Sequence, residues 1–151
     1  MRFISHAYQK AGKEQVFEEP KLQGIAATWI DVEDHEFGPP STKLMMELLD
    51  KPNMGLQTDE AMVAEEAAKL AKVLDSYEER LQKFDYLGGN KFTSADLTHF
   101  PKLYFLFGTP LKRLFLDRPR VHAWSQQILS RPSSTKVVDM VHKFKASINE
   151  I

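Results

Sequence analysis

The chain has 151 residues, of which 42% are hydrophobic and 27% charged. That length and balance can bury one core without a metal or disulfide staple, and the chain is too apolar for intrinsic disorder. Twenty basic side chains against 21 acidic ones leave a net charge of −1, which argues against a general nucleic-acid binder or a polybasic membrane-surface protein. Cysteine is absent, which excludes disulfide scaffolds, thiolate zinc sites and cysteine nucleophiles. Met1-Arg2-Phe3-Ile4-Ser5-His6 lacks the apolar run of a secretory signal, and no stretch reaches the length of a membrane span. The expectation is a soluble, cytoplasmic protein with no membrane or nucleic-acid partner.

In chain order, residues 2–11 read as the end of a helix, through Phe3, Ile4, Ala7 and Tyr8, with a stop at Gly12. Residues 16–36 predict a long helix with Leu22, Ile25, Ala26, Trp29, Ile30 and Val32 on its apolar side. Phe37 closes that helix and Gly38-Pro39-Pro40 breaks the chain. A shorter helix over 41–51 carries Leu44, Met45, Leu48 and Leu49 and stops before Pro52. The clearest helix starts at Thr58-Asp59-Glu60, where a hydroxyl cap and two acids suit the positive end of the helix dipole. Val63, Ala67, Leu70, Leu74, Tyr77, Leu81 and Phe84 follow at alternating four and three spacings, a core-facing seam that ends at Leu87-Gly88-Gly89.

The second half repeats this logic. Phe92-Thr93-Ser94-Ala95-Asp96-Leu97 combines two helix-start motifs. Thr93 is the N-cap of a capping box closed by Asp96, while Phe92 and Leu97 occupy the ends of a hydrophobic staple. Pro101 predicts a kink in the helix that follows. Pro110 and Pro119 suit the first turns of two further helices, and Val121, Trp124 and Ile128 form the buried edge of the second. A last amphipathic helix is expected over 134–148. Nothing alternates like a strand, so the fold class is all-α.

Signals for chemistry are few. The five histidines fall in no metal-binding spacing, so they read as surface or capping groups, and no metal site is assigned. Asp31, Glu33, Asp34 and Glu36 read as a solvated acidic face, and Lys112, Arg113, Arg118 and Arg120 as a wetted basic surface with acids nearby. No G-x-S-x-G, P-loop or G-x-G-x-x-G is present. Met45, Met46, Met54, Tyr104, Phe105 and Phe107 suit either core packing or an adaptable apolar ligand site.

Several segments together are similar to a known family. These are Trp29-Ile30-Asp31-Val32-Glu33-Asp34-His35-Glu36-Phe37, then residues 69–81 (KLAKVLDSYEERL), Tyr86-Leu87-Gly88-Gly89, Phe92 to Leu97, Gly108-Thr109-Pro110 and Arg118-Pro119-Arg120-Val121. They resemble, in order and over nearly the whole chain, the C-terminal domain of plant phi-class glutathione transferases. The resemblance implies that residues 1–14 end a thioredoxin-like domain and its linker, and that 15–151 form the helical domain that completes the electrophile pocket. It places the glutathione-contacting Glu-Ser pair and the catalytic serine before Met1, in a missing segment on the order of 50–100 residues, so no catalytic residue is assigned within this chain. The family's hydrophobic-substrate positions fall on Met46, Asp50, Met54 and Phe105. Asp50 departs from the pattern, because an apolar side chain is usual there. Thr93, Asp96, Phe92 and Leu97 match the family's folding-critical cap and staple.

As a function, the resemblance implies the electrophile-binding half of an enzyme that conjugates glutathione to hydrophobic electrophiles in detoxification. This chain alone is expected to be inactive. Glutathione is then a co-substrate, no cofactor is implied, and the family forms homodimers. The alternative is a stand-alone helical carrier or protein-interaction module without catalysis.

Overall fold

The computed structural model describes residues 19–149, with side chains over residues 19–144. The helix end expected at residues 2–11 lies outside the described residues. Within them the regular structure is helical, apart from a single antiparallel bridge between Tyr86 and Gly89. No described helix is long and apolar enough to cross a membrane.

The expected break at Gly38-Pro39-Pro40 does not occur. Helical backbone runs without interruption from Pro20 to Asn53, through α1 (Pro20–Val32), α2 (Gly38–Met45) and α3 (Lys51–Asn53). Two five-residue π-helical turns, Glu33–Phe37 and Met46–Asp50, join these pieces. Each wide turn comes directly before prolines. The Gly38 N–H bonds back to the Glu33 carbonyl and the Lys51 N–H to that of Met46, which restarts the α register. Pro39 and Pro52 then stand in first turns, where a missing N–H loses no intrahelical bond. Gly38 is required at its turn, since a Cβ there would lie 2.9 Å from the Glu33 carbonyl oxygen.

The chain then turns at Met54-Gly55, with Gly55 at φ +71°, a left-handed conformation that glycine adopts without strain. Next comes α4 (Glu60–Leu81). Its cap is Asp59 rather than Thr58: the Asp59 carboxylate accepts from the amides of Ala61 and Met62 at 3.0 Å. The helix stops at Leu81, short of the glycines. Phe84 lies outside it, beneath the Arg80 guanidinium at 3.7 Å, and Gly89 instead shapes the turn of the Tyr86–Gly89 bridge. Of the predicted seam, Leu70, Leu74, Tyr77 and Leu81 are buried.

After α4 come α5 (Ser94–Leu97), α6 (Phe100–Phe107), α7 (Lys112–Leu116), α8 (Pro119–Leu129) and α9 (Pro132–Asn149). Pro101 starts a new helix instead of kinking an old one, because Thr98 and His99 form a turn between α5 and α6. Pro110 sits in the turn before α7, and Pro119 opens α8. The long α4 is the axis of the bundle, with α2, α7 and α8 packed on it and α6 lying against α2 and α8. The core they enclose includes Phe37, Leu44, Leu103, Leu106, Phe115, Val121, Trp124 and Ile128.

Candidate functional site

Met46 and Asp50 begin and end the second π turn, and Met54 follows α3. Four-residue spacing puts the three on one side of the helical run. Both methionines face solvent, Met46 at 55% and Met54 at 72% exposure, so neither contributes to the core. Met45 beside them is half-buried against it. Phe105 lies half-buried on α6, the helix packed against α2, with its ring centroid 5.1 Å from that of Tyr104. Leu56 is also exposed in the loop after Met54. Thus the soft apolar groups divide: Met45 and Phe107 pack on the core, while Met46 and Met54 are presented outward.

A buried acid holds the methionine-bearing segment in place. Glu47, within the second π turn, accepts the Lys51 ammonium at 2.7 Å and the Asp59 amide at 2.9 Å. Its own carbonyl accepts the Thr58 hydroxyl at 2.9 Å. These donors keep the Glu47 carboxyl below the usual glutamate range. The loop after Met54 is therefore tied to the π turn at its Thr58–Asp59 end. Sequence reading did not single out Glu47, since its partner Asp59 is twelve residues away.

The cap expected at Thr93 and Asp96 belongs to a larger buried hub. The Asp96 carboxylate accepts the Thr93 amide at 3.0 Å, the Leu87 amide at 3.0 Å and the Trp124 indole N–H at 2.9 Å. The Thr93 hydroxyl accepts the Ala95 amide at 3.3 Å. Burial pushes the Asp96 carboxyl up, and these donors oppose the shift. Phe92 sits edge-on to Tyr86 at 5.9 Å and beneath Arg131 at 3.7 Å. Leu97 ends α5, half-buried.

Two sequence expectations about charged groups are corrected. His99 is not a surface or capping histidine. It is fully buried among Phe37, Tyr77 and Trp124, and its Nε2 shares a 2.9 Å hydrogen bond with the Tyr77 hydroxyl. Burial disfavours the imidazolium and lowers its pKa to about 3. Glu33 likewise leaves the solvated acidic face. It is buried, and accepts the Lys102 ammonium at 2.6 Å. Burial raises its pKa and Lys102 opposes the rise. Glu33 and Phe37, the first and last residues of the π turn, are both buried, and Phe37 packs against the His99 ring at 4.8 Å.

Of the basic residues around the start of α8, Lys112, Arg113 and Arg120 are exposed, and Arg118 is tied into the fold. Arg118 donates to the Asp75 carboxylate at 2.8 Å and to the Leu114 and Ala71 carbonyls. Glu78 receives the amides of Arg120 and Val121. An open cleft of about 350 Å³ lies between α1 and α4, walled by Trp29, Val32, Val73 and Tyr77 with Glu36, Lys72 and Ser76 also lining it. Among the described residues no group of three His, Asp or Glu side chains is placed to hold a metal ion.

Residues 35–132 match the family described as glutathione S-transferase, C-terminal domain. Among curated proteins, the chain is 44% identical over 138 residues to a glutathione S-transferase of Hyoscyamus muticus, covering 91% of this chain and 65% of that protein. It is 42% identical over 142 residues to glutathione S-transferase PARB of Nicotiana tabacum, covering 94% and 67%. Among solved structures, glutathione transferase F7 from Populus trichocarpa superposes with a TM-score of 0.88 at 32% identity, over 91% of this chain and 65% of that one. Glutathione S-transferase I from maize, solved with an atrazine glutathione conjugate, gives 0.82 at 32% identity, over 90% and 65%. The chain thus spans about two thirds of the length of these relatives.

Proposed function

The chain belongs to the glutathione S-transferase family, phi class, through its C-terminal helical domain, and we propose that it supplies the electrophile-binding wall for conjugating glutathione to apolar electrophiles. The observation that carries this reading is the pair of outward methionines, Met46 and Met54, on a segment that Glu47 ties down. Flexible thioethers suit varied apolar ligands, and a fixed backbone beneath them limits the entropy lost on binding. Phe105, on the helix packed against α2, adds an aromatic surface. The maize relative's complex with an atrazine conjugate supports an apolar ligand class.

In this reading the glutathione thiolate attacks the electrophile, and the helical domain holds the electrophile in line. Thiol activation, by a serine hydroxyl donating to the sulfur, belongs in this reading to the family's thioredoxin-like domain. The working enzyme is a cytoplasmic homodimer.

The test is titration of the 151-residue chain with diphenylhexatriene, an uncharged dye that fluoresces in apolar sites. Replacing both Met46 and Met54 by alanine is expected to weaken binding about tenfold, given the apolar contact removed. Unchanged affinity would refute the site. The chain alone is expected to bind without conjugating 1-chloro-2,4-dinitrobenzene, and turnover would overturn the assignment of thiol activation to the other domain.

A further inference from the structure

Asp50 sits between the two exposed methionines, and the structure leaves its charge unspent. It is exposed, its side chain makes no capping bond, and no described residue engages its carboxylate. The cation next to it, Lys51, is drawn away: its ammonium lies 2.7 Å from both oxygens of Glu47. Lys51 is thus committed to Glu47, and as the next residue of a helical run it projects to a different side from Asp50.

Resting on the reading of this face as the electrophile wall, we propose that Asp50 is a specificity-determining residue that selects apolar molecules carrying a positive charge or a hydrogen-bond donor. A free carboxylate flanked by thioethers is complementary to an amphipathic cation: the methionines cover the apolar body and Asp50 faces the charged end. The same carboxylate repels an anionic ligand of equal apolar area. At an exposed site the effect is modest and screened by salt, about three- to fivefold in affinity at low ionic strength.

A matched set of dyes separates the charge effect from the apolar one: diphenylhexatriene, its trimethylammonium derivative and its propionic acid derivative, each titrated against the 151-residue chain. The expected order is cation over neutral over anion, with the spread narrowing in 0.5 M salt. Asp50→Asn is expected to bring the affinities of the three dyes together. Lys51→Met, which leaves Asp50 intact, is expected to keep the cation preference. No charge preference, or one that survives Asp50→Asn, overturns the proposal while leaving the apolar wall standing. If alanine at Met46 and Met54 leaves the neutral dye unaffected, the wall itself fails and the role of Asp50 falls with it.

Discussion

Replacing Asp96 by alanine removes the acceptor shared by three elements that have little else in common. Its carboxylate receives the Leu87 amide from the segment after α4, the Thr93 amide at the start of α5 and the Trp124 indole from α8, all within 3.0 Å. Asp96 and Thr93 are fully buried, so water does not readily replace the lost bonds. Orphaning a buried donor costs about 1–3 kcal/mol, which for three donors gives a gross loss of about 3–9 kcal/mol. The carboxylate's own burial is unfavourable, as its raised pKa shows, and removing it returns part of that loss. A net destabilisation of about 3–4 kcal/mol is expected, a large share of the 5–15 kcal/mol typical of a domain. Asp96→Asn keeps one acceptor oxygen and sheds the buried charge, so it is expected to cost less. Urea unfolding of the 151-residue chain, followed by far-ultraviolet circular dichroism, measures both. Pairing Asp96→Ala with Trp124→Phe is expected to reveal a coupling of about 1–2 kcal/mol. A loss under 1 kcal/mol for Asp96→Ala, or additive effects in the pair, would refute the hub.

Two further outcomes follow from groups the fold buries. His99 stays neutral in the folded chain down to about pH 3, whereas an unfolded histidine titrates near pH 6.5. Its contribution is therefore full above pH 6.5 and lost progressively as the pH falls toward 3, by about 1.4 kcal/mol per unit or about 2 kcal/mol at pH 5. His99→Gln is expected to flatten the difference in urea midpoint between pH 7 and pH 5 by that amount, and parallel pH dependences would contradict the burial argument. Lys102→Met strands the Glu33 carboxylate in the core at a cost of about 3 kcal/mol at pH 7.5. Because Glu33 already has a raised pKa, the deficit should shrink as the pH falls and the carboxyl takes up a proton. A deficit that stays constant with pH would show that the ion pair is not what holds Glu33 inside.

The helical class, the seam of Leu70, Leu74, Tyr77 and Leu81, and the start of α5 at Thr93 were legible in the sequence because each rests on local spacing. Periodicity places a side chain on a helix face, and a cap needs only three or four residues. The sequence reading failed where a local signal was outweighed by the register of a neighbouring turn. Gly38-Pro39-Pro40 signals a break, yet the π turn at Glu33–Phe37 sets the prolines in a fresh first turn and the helix continues. Thr58 is a good cap by type, but its hydroxyl serves the Glu47 carbonyl and Asp59 takes the cap. Of the wall, the identities of Met46, Asp50, Met54 and Phe105 came from resemblance, while their exposure came from the structure.

By itself, then, the sequence determined that this chain builds an all-helical domain of a recognisable family. Hydrophobic spacing and capping chemistry act within a few residues, and those are enough for that. Tertiary structure alone decided which polar groups go inside and which charges are left free. Glu33 needs Lys102 from sixty-nine residues away, Asp96 needs Trp124 from another helix, and no described residue meets the Asp50 carboxylate. Burying a charge or a polar group is tolerable only when a partner meets it in space, and in this fold those partners are supplied by packing rather than by nearness in sequence.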